Sequence, residues 1–433
     1  MKRNLMDELD AWVQRPSRKP LLLYGARQVG KTWLLKELGL ARFGSLVHVD
    51  LLKEASMRSL FRCDLDPHRI ISELELRRGV RIDPHDTLLV FDEIQEAPGA
   101  LTSLKYFCED AREYHVAAAG SYLGIELHEG ETFPVGKVDT FTLRPLSFME
   151  FLSAVGEDVL CDAITEGSFE LILSAAKDRV ERLLRQYLAI GGMPEVVSTF
   201  AASGNHLEAR DVQLQILADF EADFGKHAPA RLVERMRLVW SSVPSQLARE
   251  NRRFVYGAVR KGARAKDLEE AIQWLRDYGV VTKVSLAKAL RSPLSGYADL
   301  SAFKLYTLDT GLLCALADLP PAVVLDGSRL FTEFKGALTE QYVLQELLVQ
   351  GRTPFYWSAK RATAEVDFAI DVNATVVPME VKASESLKAK SLRVACEKFG
   401  LERAVRTSLS GYRDEGRLVN IPLWGLSRLG DLI

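Results

Sequence analysis

Apolar residues in the first third of the chain fall in short unbroken runs, whereas near the end they alternate with polar ones. The runs Leu21-Leu22-Leu23-Tyr24, Leu46-Val47-His48-Val49, Thr87-Leu88-Leu89-Val90-Phe91 and His115-Val116-Ala117-Ala118-Ala119 have the length and composition of buried strands. Helical patterns separate them, beginning with Trp33-Leu34-Leu35-Lys36-Glu37-Leu38, so this part of the chain predicts an α/β fold with a parallel sheet. Residues 160 to 245 are mostly helical by pattern, interrupted at Gly191-Gly192-Met193-Pro194, which reads as a hinge or packing point. From Arg249 to Val284, two helices followed by a short β segment suggest a winged helix-turn-helix. Toward the end, Glu365-Val366-Asp367-Phe368-Ala369-Ile370 and the stretch from Val376 to Lys382 read as strands. The pattern divides the chain into 1–155, 156–245, 246–320 and 321–433.

The residues suited to chemistry stand at the carboxyl ends of these apolar runs. After Leu21–Tyr24 comes Gly25-Ala26-Arg27-Gln28-Val29-Gly30-Lys31-Thr32, with Trp33 opening the helix. The spacing G-x-x-x-x-G-K-[ST] lets a tight loop turn its backbone N–H groups toward phosphate at a positive helix start. Lys31 would reach the β- and γ-phosphates of ATP, and Thr32 would offer its hydroxyl to Mg2+. The third run ends in Asp92 and Glu93: Asp92 would hold the magnesium, usually through water, and Glu93 would polarise the attacking water. A helix cap is the other reading of such an acidic pair. The fourth run ends at Gly120-Ser121, where Ser121 either senses the γ-phosphate or is an ordinary turn residue.

Composition narrows the setting. At 433 residues the chain has room for roughly three domains. A net charge of −3 argues against a chain coated for nucleic acid, while leaving room for a local basic patch. Cys63, Cys108, Cys161, Cys314 and Cys396 lie far apart, so reduced thiols and no structural zinc are expected. No apolar run approaches bilayer length, and the expectation is a cytoplasmic protein with no membrane partner.

The winged-helix segment invites a nucleic-acid partner, and its charges divide on the question. Arg249, Arg252, Arg253, Arg260, Lys261, Arg264 and Lys266 form a basic run, but the recognition-helix position, Asp267 to Asp277, is rich in carboxylates. Acidic side chains would face a polyanion in a major groove, which disfavours helix-in-groove docking. A lid or interaction module with a solvated basic face is the competing reading.

In the last segment, strand alternation puts Glu365 and Asp367 on one face and Val366, Phe368 and Ile370 on the other. Glu380 and Lys382 likewise share a face. Pairing the two strands as a hairpin would bring Asp367, Glu380 and Lys382 together. There two carboxylates could hold Mg2+, and the lysine could steady a phosphate or the attacking water. This is the constellation of PD-(D/E)XK nucleases; an ordinary salt bridge from Lys382 is the alternative. The earlier triplet Glu333-Phe334-Lys335 lacks an alternating strand. Glu340 shares a helix face with Val343, Leu344 and Leu347, a costly place for a carboxylate unless it is paired or metal-bound, though it is also a first-turn acid.

The set GARQVGKT, LLVFDEIQ, AAGS and LRPLSFMEFL resembles prokaryotic ATPases of the AAA superfamily that carry an uncharacterised, nuclease-like C-terminal domain. The resemblance continues through YLAIGGMPEVV, KLYTLDTGLL, EVDF and MEVK, nearly the whole chain. It implies an AAA-type P-loop domain, a helical and winged-helix middle and an α/β restriction-endonuclease-like C-terminal domain. It also implies Mg-dependent ATP hydrolysis and, as in many AAA relatives, a homo-oligomer. Where that family usually has a Gly-Arg pair before PLSF, this chain has Gly136-Lys137, so Arg144 competes with Lys137 for any role on a neighbour's nucleotide.

Overall fold

The computed structural model describes residues 1–121, 133–250, 252–326, 332–359 and 364–433. They separate into two units: residues 2–144 with 277–279, and residues 145–276 with 280–433 and Met1. The class is α/β.

The first unit is built on five parallel strands: β1 (Leu21–Tyr24), β2 (Ser45–Asp50), β3 (Thr87–Asp92), β4 (His115–Ala119) and β5 (Asp139–Thr142). Their order is β2-β3-β4-β1-β5. The four apolar runs are the first four strands. The fifth is not an apolar run: its residues, Asp-Thr-Phe-Thr, lie on the sheet edge and are only partly covered. One side of the sheet packs Leu22, Leu89, Phe91 and Ala118 against Phe61, Ile70, Leu104 and Phe107. Removing that much apolar area from water is the main stabilising term of the unit.

The second unit combines helices with a mixed sheet of eight strands. Helices Lys177–Ile190, Pro194–Ser203, His206–His227 and Ala230–Leu247 lead to the short Tyr256–Val259 and then Ala265–Asp277. The hairpin β6 (Val281–Ala287) and β7 (Ala298–Thr307) comes next. After helix Thr332–Val349 come β8 (Phe355–Ser358), β9 (Glu365–Val372), β10 (Thr375–Val381), β11 (Ala404–Ser408), β12 (Arg413–Asp414) and β13 (Leu418–Pro422). The order is β12-β13-β11-β10-β9-β8-β6-β7, so one sheet runs across residue 320, joined where β6 pairs in parallel with β8 at Leu286 and Tyr356.

A buried polar knot holds this unit together. Gly191 stands at φ 78°, and a side chain there would fall on the Asp309 carboxylate. Asp309, wholly buried, accepts from Gly192 N at 2.6 Å, Leu312 N at 3.0 Å and Gln345 Nε2 at 3.1 Å. Gln341 accepts from Thr307 N, and Glu346 accepts from Phe148 N at 2.8 Å. The Gly-Gly interruption is thus a packing point, and segments far apart in sequence meet there with their polar atoms satisfied.

Candidate nucleotide site and C-terminal cavity

The nucleotide candidates gather at the carboxyl ends of β1, β4 and β3. Gly25 takes φ 151°, and a side chain on it would strike the Leu143 carbonyl oxygen. Gln28 at 64° and Gly30 at 95° place left-handed backbone just before helix Lys31–Arg42. Alternation of this kind gathers N–H groups into an anion-binding concavity. Ala26 and Val29 anchor the loop in the core, whereas Trp33 is 40% exposed.

Lys31 is buried, and its Nζ donates to Gly25 O at 2.9 Å, Ala26 O at 2.8 Å and Ser121 Oγ at 2.9 Å. Burial pushes the ammonium down to about 8, against the opposing pull of Glu93 and Asp92. Because β4 lies between β1 and β3, Ser121 sits between the loop and the acidic pair.

Asp92, 2% exposed at the end of β3, accepts from Thr32 Oγ1 at 2.6 Å. His48 Nε2 lies 3.1 Å from the same oxygen, and Glu93 N donates to the other at 3.1 Å. Burial would raise the Asp92 carboxyl, but the bonds from His48 and Thr32 outweigh it and leave it below its ordinary value. Glu93 takes left-handed backbone at φ 49° and accepts from Gln95 Nε2 at 2.5 Å. These donors and acceptors suit a nucleotide's phosphates together with Mg2+.

The C-terminal candidates line one cavity of about 950 Å³. β9 and β10 form the expected antiparallel hairpin, with Met379 opposite Phe368. This brings Asp367, Glu380 and Lys382 to the same cavity wall, with Glu340 facing them from helix Thr332–Val349. Lys382 Nζ is 2.5 Å from Glu380 Oε1, and Asp367 Oδ2 accepts from Val381 N at 2.8 Å. Glu340, 3% exposed, is ion-paired with Arg252 and accepts from Tyr306 OH at 3.0 Å. Lys304 Nζ, fully buried, lies 2.6 Å from Glu365 and 3.6 Å from Glu340. Desolvation, helped by the charge of Glu340, lifts the Asp367 carboxyl well above the usual range. Burial alone would raise Glu340 too, but Lys304 and Arg252 hold it below its ordinary value. Among the described residues, no three His, Cys, Asp or Glu side chains are grouped to hold a metal ion. Lys335 of the earlier triplet lies on the helix, and the side chain of Glu333 is outside the described residues.

Some site residues escaped the sequence reading. Arg3, 7% exposed, donates to Val29 O in the loop at 2.9 Å and to Arg144 O at 2.5 Å. Nothing in a Lys-Arg pair near the start marks that role. His48 had a signal: it stands inside an apolar strand, beside Val90 and two residues short of the Asp92 level. Lys304 had one as well, a lysine inside the run Phe303 to Thr307.

Residues 17–152 match the family described as AAA domain. Residues 17–152 are an AAA domain. Residues 181–322 match a domain of unknown function (DUF8612), and residues 335–424 match another (DUF4143). No curated protein matches the chain significantly. Among solved structures, the chain is similar to the Walker-type ATPase paby2304 of Pyrococcus abyssi. The identity is 15% and the TM-score 0.44, covering 73% of this chain and 95% of that one. Cdc6p of Pyrobaculum aerophilum matches at 14% identity and TM-score 0.26, over 74% of this chain and 93% of that one. The Drosophila ORC bound to DNA matches at 12% identity and TM-score 0.27, over 72% and 94%. No helix among the described residues is long and apolar enough to cross a membrane.

Within the AAA domain, the two cations weighed for a role on a neighbour's nucleotide are placed differently. Lys137 pairs with Glu109 at 2.7 Å near the surface, whereas Arg144 is half-buried, and burial lowers its guanidinium pKa. The Arg144 carbonyl is tied to the phosphate loop through Arg3.

Proposed function

We propose that the AAA domain binds ATP with Mg2+ and hydrolyses it. The supporting observation is the placement of Lys31, fixed by three acceptors between the loop and Ser121, beside the Thr32–Asp92 bond. Lys31 would exchange the loop carbonyls for the β- and γ-phosphates, and Ser121 would follow to the γ-phosphate. Thr32 and Asp92 would hold Mg2+, which neutralises charge developing on the phosphate oxygens. Glu93 would orient and deprotonate the attacking water. Lys31→Ala removes charge-assisted bonds worth about 1.5–3 kcal/mol each, so ATP affinity should fall ten-fold or more, read by nucleotide titration. Unchanged affinity would place the nucleotide elsewhere.

The second unit is proposed as a winged-helix segment joined to a nuclease-like domain that engages nucleic acid, with homo-oligomerisation as a further expectation. The order of helices and hairpin from Ala230 to Thr307 supports the first part, and the convergence of Asp367, Glu380 and Lys382 supports the second. One observation favours a second reading, a slow nucleotide-dependent switch that binds a partner without cutting: every carboxylate candidate there already has a partner in the protein. Mg2+-dependent degradation of DNA and RNA by the wild type, lost in Asp367→Ala and in Lys382→Ala, would eliminate the switch. Intact substrate throughout would eliminate the nuclease.

A further inference from the structure

The C-terminal cavity carries a cation of the protein's own where its carboxylates converge. Arg252 enters just after helix Ala230–Leu247 and pairs with Glu340 Oε1, while Tyr306 and Lys304 approach Oε2. The insertion is built in at some strain. Arg252 has a left-handed backbone, φ 49°, which a side chain this large rarely adopts. The facing helix accommodates it with Gly336, where an added Cβ would lie 2.6 Å from Arg252 Nη2. Across the same cavity, Glu380 is only 6% exposed and its Oε2 has no hydrogen-bond partner. That orphaned oxygen is an acceptor awaiting a donor or a cation.

As placed, these residues do not fit a divalent ion. Glu340 is neutralised by Arg252 and Lys304, and a metal beside it would sit against a guanidinium, with like charges repelling in a medium of low dielectric. We propose that Arg252 is an internal occupant of this cavity, one that excludes divalent cations from it while paired with Glu340. A planar, always-charged guanidinium suits such an occupant, because it satisfies the buried carboxylate. This occupancy deepens the cavity reading above, and metal binding and proteolysis test it apart from any cleavage of nucleic acid.

The metal test uses the full chain carrying Asp92→Asn, which removes the carboxylate proposed to hold Mg2+ in the AAA domain, and titrates Mn2+ by calorimetry. Adding Arg252→Ala should tighten Mn2+ binding by about ten-fold or more. Adding Glu340→Gln as well should abolish the gain, and Arg252→Lys, which keeps a cation, should bind Mn2+ as weakly as Arg252. Binding no tighter in Arg252→Ala, or a gain that survives Glu340→Gln, would overturn the proposal. Should Arg252→Ala fail to fold, the pair can be opened from its other side. Glu340→Gln alone releases Arg252, so trypsin should cut after Arg252 about ten-fold faster than in the wild type. An unchanged cutting rate at that bond would also overturn it.

Discussion

Thr32 donates its hydroxyl to Asp92 Oδ2 at 2.6 Å, so the first turn of the loop helix and the end of the acidic strand share one charge-assisted bond. His48 approaches the same oxygen from β2. Three elements of the AAA domain therefore agree on the position of one carboxylate.

If that carboxylate and hydroxyl hold Mg2+ together, Thr32→Ala should raise the Mg2+ concentration needed for half-maximal ATP hydrolysis by roughly ten-fold, from the loss of a bond to a charged group. Fold stability should fall by no more than about 1.5–3 kcal/mol, the worth of a hydrogen bond to a charged group, since His48 still approaches the same oxygen. A magnesium titration of turnover checks it. An unchanged midpoint would remove Thr32 from the metal site.

Glu93 follows Asp92 with a left-handed backbone, which ends β3 at the acidic pair. Glu93→Gln should bind ATP as the wild type does and lose about 10²–10⁴ in turnover, the usual effect of deleting a general base. Single-turnover kinetics at saturating ATP separate the two quantities. Full turnover would exclude Glu93 as the base.

Gly191→Ala should destabilise the second unit. At φ 78° and ψ −167°, backbone that is essentially reserved for glycine, a side chain costs about 1–3 kcal/mol, and its collision with the buried Asp309 carboxylate adds overpacking of about 1–3 kcal/mol. Denaturant unfolding followed by tryptophan fluorescence, with Trp240 and Trp424 as buried reporters, would show the loss. A variant as stable as wild type would mean that the knot around Asp309 yields easily.

The nucleotide site was largely legible in sequence because its parts are local. A strand, a loop that needs glycine at Gly25 and a lysine six residues later fall within one turn of chain, and β3 announces Asp92 by the apolar run before it. What was not legible is what folding brings from afar. β5 escaped because an edge strand needs no apolar run. Arg3 reads as a surface cation until the loop carbonyl of Val29 is placed beside it. In the second unit, the strands of the hairpin β9–β10 were visible from alternation, but the joining of β6 to β8 depends on pairing across many residues. Glu340 stood out as an acid on an apolar face. Its partners Arg252 and Lys304 did not, since no local pattern links them to it.

Glu346 gives the second unit a pH dependence whose sign is fixed by its surroundings. Burial, with Glu150 adding to it, raises the carboxyl to about 7, against the bond from Phe148 N. A raised folded value means the native state binds more protons than the unfolded chain between the ordinary value of 4.5 and about 7. Stability from this group is therefore greatest below pH 4.5 and falls as pH rises through that window, reaching its full loss above about 7. The gap, 7 minus 4.5, corresponds to roughly 3 kcal/mol. Glu346→Gln keeps an acceptor for Phe148 N and cannot ionise. It should match wild type near pH 4.5 and exceed it at pH 8 by up to roughly 3 kcal/mol in denaturant unfolding. An equal difference between the two proteins at both pH values would show that Glu346 does not change its protonation on folding.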